Sequence, residues 1–484
     1  MASSSPQSDD FPSILKGKRI LLTTESLGPV NGVSRTTSNL IKYLHRNGVD
    51  LAVVAPQFPG QQQPSPSSSQ NQTLDVRLPG YPLAYNPDLT LVYPFRLDTI
   101  YTQTFNPDLI YIASPASLGF QILLQARQLH NPPPTLLNFQ TDLSSYSTII
   151  FPSPLSEIAV WLLSTVQGYL FRHPSIHTIF YPCTAVLSYL QTTGTPTSKT
   201  HRLGRGVNTT LFHPGRRSPS LRAILAPNNE ILLLTVCRLA PEKGFEVLAS
   251  ITSTLVALKL PFKLLIVGGN RNPDVETTIH RLFDAVKGHV VFLGFLTGED
   301  LARAYASADL FLHCSITETF GLVVLEAMAS GVPVIARDQG GPSDIVRNQE
   351  TGYLVPPDEG EVFAALVREV ARDEKLRRKL AVRARAYAEE MTWEKINRRV
   401  AGRMADALVE RERGRERDVS SETALLEGSG RGGVSVLEKV RMILAVGVVY
   451  LMWLVAVVPL IVHGEKMVPR ALSRIPLVGR LVRA

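Results

Sequence analysis

Two carboxylates, Glu318 and Glu326, stand eight positions apart in the run Thr317-Glu-Thr-Phe-Gly-Leu-Val-Val-Leu-Glu-Ala-Met-Ala-Ser-Gly-Val-Pro-Val-Ile-Ala336. A helix beginning near Gly321 leaves Glu318 on the loop that feeds it and carries Glu326 one to two turns in, at about 3.6 residues per turn. Both acids are then expected to face one small volume. The N–H groups of Thr319, Phe320, Gly321 and Leu322 are first-turn donors, and with the positive end of the helix dipole they suit an oxygen-rich or anionic ligand. A sugar carried on a diphosphate has that character. The flanks Leu310, Phe311, Leu312, Val323, Val324, Leu325, Val334 and Ile335 are apolar enough to be buried, and a carboxylate in such a setting requires a partner or a ligand.

A second group of chemically capable residues lies in Arg238-Leu-Ala-Pro-Glu-Lys-Gly244. The Arg238 guanidinium is a planar fork and Lys243 a point charge, and together they can neutralise a diphosphate whose charge grows as it leaves a sugar. Gly28-Pro-Val-Asn-Gly32 follows the opening strand and lets backbone amides approach a phosphate or sugar closely. No complete Gly-x-Gly-x-x-Gly fingerprint accompanies it. Asn138-Phe139-Gln140-Thr141-Asp142 ends an apolar run, where Gln140 and Asp142 either hydrogen-bond a sugar or cap a loop.

These residues need rigid supports, and the chain supplies an alternation of strands and helices. A strand over 19–24, a helix over about 33–46 and a strand over 50–55 make a βαβ opening. The Gln/Pro/Ser-rich run 59–72 has too little apolar surface to fold and is expected to be a mobile loop. After a Pro/Gly/Ser-rich break at 213–220 the pattern restarts, with strands expected at 231–236, 263–267, 290–293 and 310–312. Two α/β units with parallel sheets, joined near residue 215, follow from this order. Ligands of open parallel sheets bind beyond the carboxyl ends of the strands, where the motifs above fall.

Taken in order, Pro29-Val30-Asn31-Gly32-Val33, Gly204-Arg205-Gly206-Val207-Asn208, Glu318-Thr319-Phe320-Gly321 and Gly340-Gly341-Pro342-Ser343-Asp344 resemble the retaining glycosyltransferases of family 4. Within that family the chain is most similar to GDP-mannose-dependent α-mannosyltransferases and sulfoquinovosyl-diacylglycerol synthases, over residues 18 to 410. The resemblance implies an α/β fold of two facing Rossmann-like domains (GT-B), here with a C-terminal membrane-associated helical segment. It implies a nucleotide-sugar donor, retention of the anomeric configuration, and front-face attack in which the leaving diphosphate helps to deprotonate the acceptor. The catalytic set it implies is Glu318, Arg238, Lys243 and Asp142. Donor binding falls to Gly32, Val33, Arg238, Lys243, Glu318, Thr319, Phe320, Gly321, Leu322 and Glu326, with Glu318 on sugar hydroxyls and Glu326 on the ribose. Gln140, Asn31 and Arg205 are acceptor-side or unassigned. Gln140 stands where the family often has His and cannot titrate near neutral pH.

No Asp-x-Asp triplet occurs in the chain, so a metal-bound diphosphate lacks its usual ligands. No metal or other cofactor is expected. With 484 residues and 44% hydrophobic composition the chain can build two sizeable cores. Three widely separated cysteines argue for a reducing compartment and against a disulfide framework or zinc site. Residues 1–16 show no cleaved signal peptide, and the sequons at Asn71 and Asn208 are expected to be unused. The net charge of +8 is concentrated after residue 367, which speaks against a nucleic-acid partner. Lys466, Arg470, Arg474, Arg480 and Arg483 stand beside the uncharged run 442–462, a pattern that suits anionic lipid.

The expected organisation is a disordered N-terminus (1–17), an acceptor-side domain (18–215), a nucleotide-sugar domain (216–410), a linker (411–437) and a transmembrane or re-entrant segment with a basic tail (438–484). Residues 154–172 are either a buried helix or a membrane-contacting one. The expected protein is membrane-bound with its catalytic domains facing the cytosol, moving a hexose, foremost mannose from GDP-mannose, to a lipid acceptor. A UDP-sugar-dependent glycolipid synthase and a non-catalytic sugar-nucleotide-binding scaffold are the alternatives.

Overall fold

A computed structural model describes residues 11–27, 32–57, 73–83, 86–140, 154–270, 272–357, 359–424, 440, 443–444 and 446–447. The chain divides into two compact units: the first comprises Met1–Tyr181, Val186–Leu203 and Asn397–Ala484, the second Pro182–Ala185 and Gly204–Ile396.

In the first unit β1 (Arg19–Thr24), β2 (Asp50–Pro56) and β3 (Leu74–Leu78) are followed by a small antiparallel pair, β4 (Gly80–Leu83) and β5 (Asn86–Val92), then by β6 (Leu109–Ala113), β7 (Thr135–Asn138), β8 (Ile176–Tyr181) and β9 (Thr200–Arg202). The main sheet runs β3-β2-β1-β6-β7-β8-β9 with every pairing parallel. Parallel strands are covered on both faces and so read as continuous apolar runs. Leu21 and Leu22 of β1 and every residue of β6 are buried accordingly.

Strand order reverses between β1 and β6, and Glu25 sits just beyond the end of β1 at that switch. Its carboxylate accepts N–H bonds from Ala116 (3.2 Å) and Gly119 (3.0 Å) at the start of the helix Ser117–Ala126. Burial pushes the Glu25 carboxyl up to about 7, although the amides of Gly119, Leu118 and Ala116 oppose the shift. The folded chain therefore holds a proton here that the unfolded chain releases near its ordinary pKa of about 4.3. Between those values the folded state binds more protons, so this contribution to stability is fully present at low pH and declines as pH rises toward 7. Melting temperatures of the wild type and Glu25→Gln, measured from pH 5 to pH 8, are expected to show a steeper loss with rising pH in the wild type.

The second unit contains β10 (Ile231–Val236), β11 (Phe262–Val267), β12 (Val290–Gly294), β13 (Leu310–His313), β14 (Val334–Arg337) and β15 (Gly352–Val355). They form an all-parallel sheet in the order β12-β11-β10-β13-β14-β15. Here the order reverses between β10 and β13, so the loops that leave those two strands emerge side by side. They carry Lys243 and Glu318. A core of Leu232, Leu234, Phe311, Val324, Leu325 and Met328 fixes both strands and the helix Leu322–Ala329 that follows β13.

Three expectations need correction. The main part of the second unit runs from Gly204 to Ile396 and the chain rejoins the first at Asn397, where the expected bounds are 216 and 410. The helix Trp393–Ala424 explains this, because Val400, Ala401, Met404, Ala407 and Leu408 are buried. Its polar side is held by Arg403 to His201 (3.2 Å), Glu410 to His177 (3.3 Å) and Arg411 to the Asp108 carbonyl (2.9 Å). The start of the expected linker is part of this helix, as the alternating Glu and Arg of 410–413 favour.

The membrane assignment is also corrected: among the described residues no helix is long and apolar enough to cross a membrane. Of the run 442–462 only 443, 444, 446 and 447 are described, and the rest of that run lies outside the described residues. Residues 154–172 form the helix Leu155–Phe171, with Leu163, Val166, Leu170 and Phe171 buried and Trp161 64% exposed. The runs 28–31, 58–72 and 141–153 lie outside the described residues.

Candidate functional site

The loop after β10 closes with a single turn, Pro241–Lys243, and then Gly244 at φ 70°. A Cβ built on Gly244 would lie 2.0 Å from the Cys314 carbonyl oxygen, so only glycine lets this loop meet the one after β13. Contact continues beyond it. Ile316 donates its N–H to the Glu242 carbonyl (2.9 Å), and Ser315 Oγ lies 3.3 Å from the same oxygen.

Lys243 is thereby delivered to Glu318. Its Nζ donates to Glu318 Oε2 at 3.0 Å and to Ser315 Oγ at 3.3 Å, with the two charged side chains only 13% and 21% exposed. Burial alone would raise the Glu318 carboxyl, but Lys243 and then His313 outweigh it and hold the group below its usual range. Burial likewise works against the Lys243 ammonium, and Glu318 and Glu242 overcome it, holding that group above its usual range. Both members therefore stay charged across the neutral range.

His313 Nε2 is 3.9 Å from the same carboxylate oxygen. Burial pulls the His313 imidazole down to about 4 against the pull of Glu318, so it is neutral near pH 7.

The helix Leu322–Ala329 begins after Gly321, which serves as its N-cap at φ 93°. Just ahead of this end the Glu318 carboxylate accepts the Phe320 N–H. Gly340 and Gly341 hold the loop from behind. The Gly341 N–H donates to the Glu318 carbonyl (2.8 Å), and a Cβ on Gly340 would meet that oxygen at 2.3 Å.

Glu326, one turn into the helix, is 1% exposed and accepts a hydrogen bond from the Tyr305 hydroxyl at 3.0 Å. The expectation that the two acids face one small volume is therefore narrowed. Each has its own partner: a cation for Glu318 and a neutral phenol for Glu326.

Arg238, with a side chain 47% exposed, pairs with Glu242 at 3.1 Å on the same loop as Lys243. Arg205 is buried, its guanidinium 5.9 Å from the Phe320 ring centroid. Thr319 and Leu322 are half-buried and Phe320 is buried. In the first unit Gly32 and Val33 open the helix Gly32–Arg46. Gln140, beyond the end of β7, is 3% exposed, and neither its amide oxygen nor its amide nitrogen has a hydrogen-bond partner among the described residues. Asn31 and Asp142 lie outside the described residues.

Sequence reasoning missed His313, Ser315, Glu242 and Tyr305. The first two fall within five residues of Glu318 and had a signal in their polarity at the end of an apolar strand. Tyr305 had none, being one more apolar residue on the preceding helix. No group of three or more His, Cys, Asp or Glu side chains among the described residues is arranged to hold a metal ion.

Residues 218–387 match the family described as Glycosyl transferases group 1, and residues 30–211 match Glycosyltransferase Family 4. A GDP-mannose-dependent alpha-mannosyltransferase from Mycobacterium tuberculosis is 34% identical over 354 residues, covering 71% of this chain and 85% of the relative. A sulfoquinovosyl transferase from Arabidopsis thaliana is 28% identical over 414 residues, covering 83% and 76%. Among solved structures, sucrose-phosphate synthase from Thermosynechococcus elongatus superposes with a TM-score of 0.65 at 23% identity, covering 81% of this chain and 99% of that one. At that identity the likeness shows the two-domain GT-B fold alone.

Proposed function

From the premise that this chain belongs to the family 4 glycosyltransferases and is a hexosyltransferase, we propose that it transfers mannose from GDP-mannose with retention of configuration. The observation that carries the reading is the Lys243–Glu318 pair at the switch point of the second sheet. It puts a fixed ammonium and a fixed carboxylate where a nucleoside diphosphate sugar is expected to lie. Lys243, joined by Arg238, takes the charge that grows on the diphosphate as the glycosidic bond breaks, with no metal ion required. Glu318 then accepts hydrogen bonds from the sugar hydroxyls, and Glu326 from the ribose. The leaving diphosphate receives the proton of the attacking hydroxyl on the same face of the sugar. Gln140 contributes its amide, which has no partner among the described residues, to a sugar.

The mannosyltransferase likeness, at more than a third of aligned positions and most of both chains, supports the donor. The exposed apolar side of the helix Leu155–Phe171, where Trp161 stands, supports a lipid as acceptor. The sulfoquinovosyl transferase likeness spans more of the chain and supports a second reading, a UDP-sugar-dependent glycolipid synthase.

Ligands that bind only the folded state raise its melting temperature. GDP and GDP-mannose are expected to raise that of the full chain, with UDP, UDP-glucose and UDP-glucuronate having little effect. The reverse order selects the second reading. Binding of any of the five without turnover on lipid acceptors overturns the lipid as acceptor.

A further inference from the structure

Tyr305 lies in the last turn of the helix Gly298–Ser307 and is fully buried, yet it places its hydroxyl on the Glu326 carboxylate. We propose that Tyr305 positions Glu326 for the ribose of the donor and so sets the preference for ribonucleotide over deoxyribonucleotide donors. The inference rests on the reading of Glu326 as the ribose ligand.

The packing makes Tyr305 a stiff support. Its ring meets Phe212 edge-on at 5.6 Å and lies against Phe311 at 5.7 Å. Phe311 is in β13, the strand whose exit loop carries Glu318. A tyrosine has only two side-chain torsions, and with both held by this packing its hydroxyl occupies one point in the core. Glu326 has three torsions. A hydrogen bond to Oε2 from a fixed donor removes the freedom of the last one and sets the plane of the carboxylate.

A carboxyl group held in one plane can meet both hydroxyls of a vicinal diol, such as that of a ribose, with hydrogen bonds that depend on direction as well as distance. Lacking a 2′-hydroxyl, a deoxyribose loses half of that interaction.

Tyr305→Phe removes the hydroxyl and keeps the ring that fills the core. The affinity of the full-length variant for GDP and 2′-deoxy-GDP, or for the UDP pair if UDP proves to be the ligand, separates the possibilities. Ribonucleotide affinity is expected to fall about 10-fold, the scale of one hydrogen bond to the ligand lost when the carboxyl group is no longer held in place. Affinity for the deoxy compound changes by less than about 3-fold, so the ratio between the two collapses. In turnover the loss appears in the donor KM, with kcat within about 2-fold.

A Tyr305→Phe protein that melts at a lower temperature but keeps the wild-type ratio shows the hydroxyl to be a core support only, and overturns the proposal. Glu326→Gln tests the reading beneath it. If that change leaves the ratio intact, the ribose assignment itself fails and Tyr305 falls with it. If Glu326→Gln abolishes the ratio and Tyr305→Phe does not, only the positioning role is lost.

Discussion

Lys243→Ala is expected to lower kcat/KM for the nucleotide sugar by about 10²- to 10³-fold, the range seen when one preorganised donor to a developing negative charge is removed. The geometry also predicts a stability cost. Glu318 is four-fifths buried with Lys243 as its nearest cation, and removing one member of a buried pair typically costs about 3–5 kcal/mol because the other charge is left uncompensated. Part of that cost is relieved by protonation. Without Lys243 the Glu318 carboxyl rises from its depressed position, and the variant gains stability as pH falls, where the wild-type pair does not.

The double variant Lys243→Met, Glu318→Gln separates the two roles. With no charge left to strand, its melting temperature is expected to recover most of the loss, while its activity stays at or below that of Lys243→Ala. Steady-state kinetics with matched melting curves check this, and wild-type activity in Lys243→Ala would refute the site.

Gly244→Ala is the second large effect, and it needs no change of charge. The residue has φ 70°, where a side chain is strained, and its Cβ would press on the Cys314 carbonyl oxygen. The clash is with backbone and cannot be relieved by a rotamer change. Melting is expected to show a loss of about 3 kcal/mol or more, and donor binding falls too because Lys243 is the adjacent residue. Gly360→Ala is the control. Nothing lies within 4 Å of a Cβ there, at the first position of the helix Gly360–Arg372, and alanine is expected to be neutral or slightly stabilising.

The strands β1, β2, β10, β11, β12 and β13 were legible because parallel strands carry apolar runs, and β1 and β10 occupy the residues that the runs marked; β3 and β9, at the sheet edge and largely uncovered, carry no such run. Glu318 and Lys243 were legible as candidates from residue type. Their pairing was not, because it joins positions 75 apart through strand order, which periodicity does not reveal. Tyr305 was hidden for a related reason: its ring has the pattern of a core residue, and only the fold shows where the hydroxyl points. At the C-terminal end the error ran the other way. Charge-rich composition suggested a tether at 411, whereas apolar residues spaced along one side of 400–408 bind the helix to the first unit. Apolar length alone, at 442–462, predicted a span that the described helices do not provide.

The return of the chain to the first unit at Asn397 bears on how the protein is made. The helix that closes over Asp108, His177 and His201 lies beyond the insertion Gly204–Ile396. Roughly 190 residues separate the last strand of the first sheet from its closing helix, and at 5–20 residues per second the ribosome needs about 10–40 s to span them. Throughout that interval the nascent first unit lacks Val400, Met404 and Leu408 and exposes the surface they later cover. The second unit, almost all of it contiguous, is free to fold as it emerges. In biosynthesis the N-terminal unit is therefore the last to be completed, and a message truncated before codon 397 yields a first unit with an open seam for chaperones and proteases to recognise.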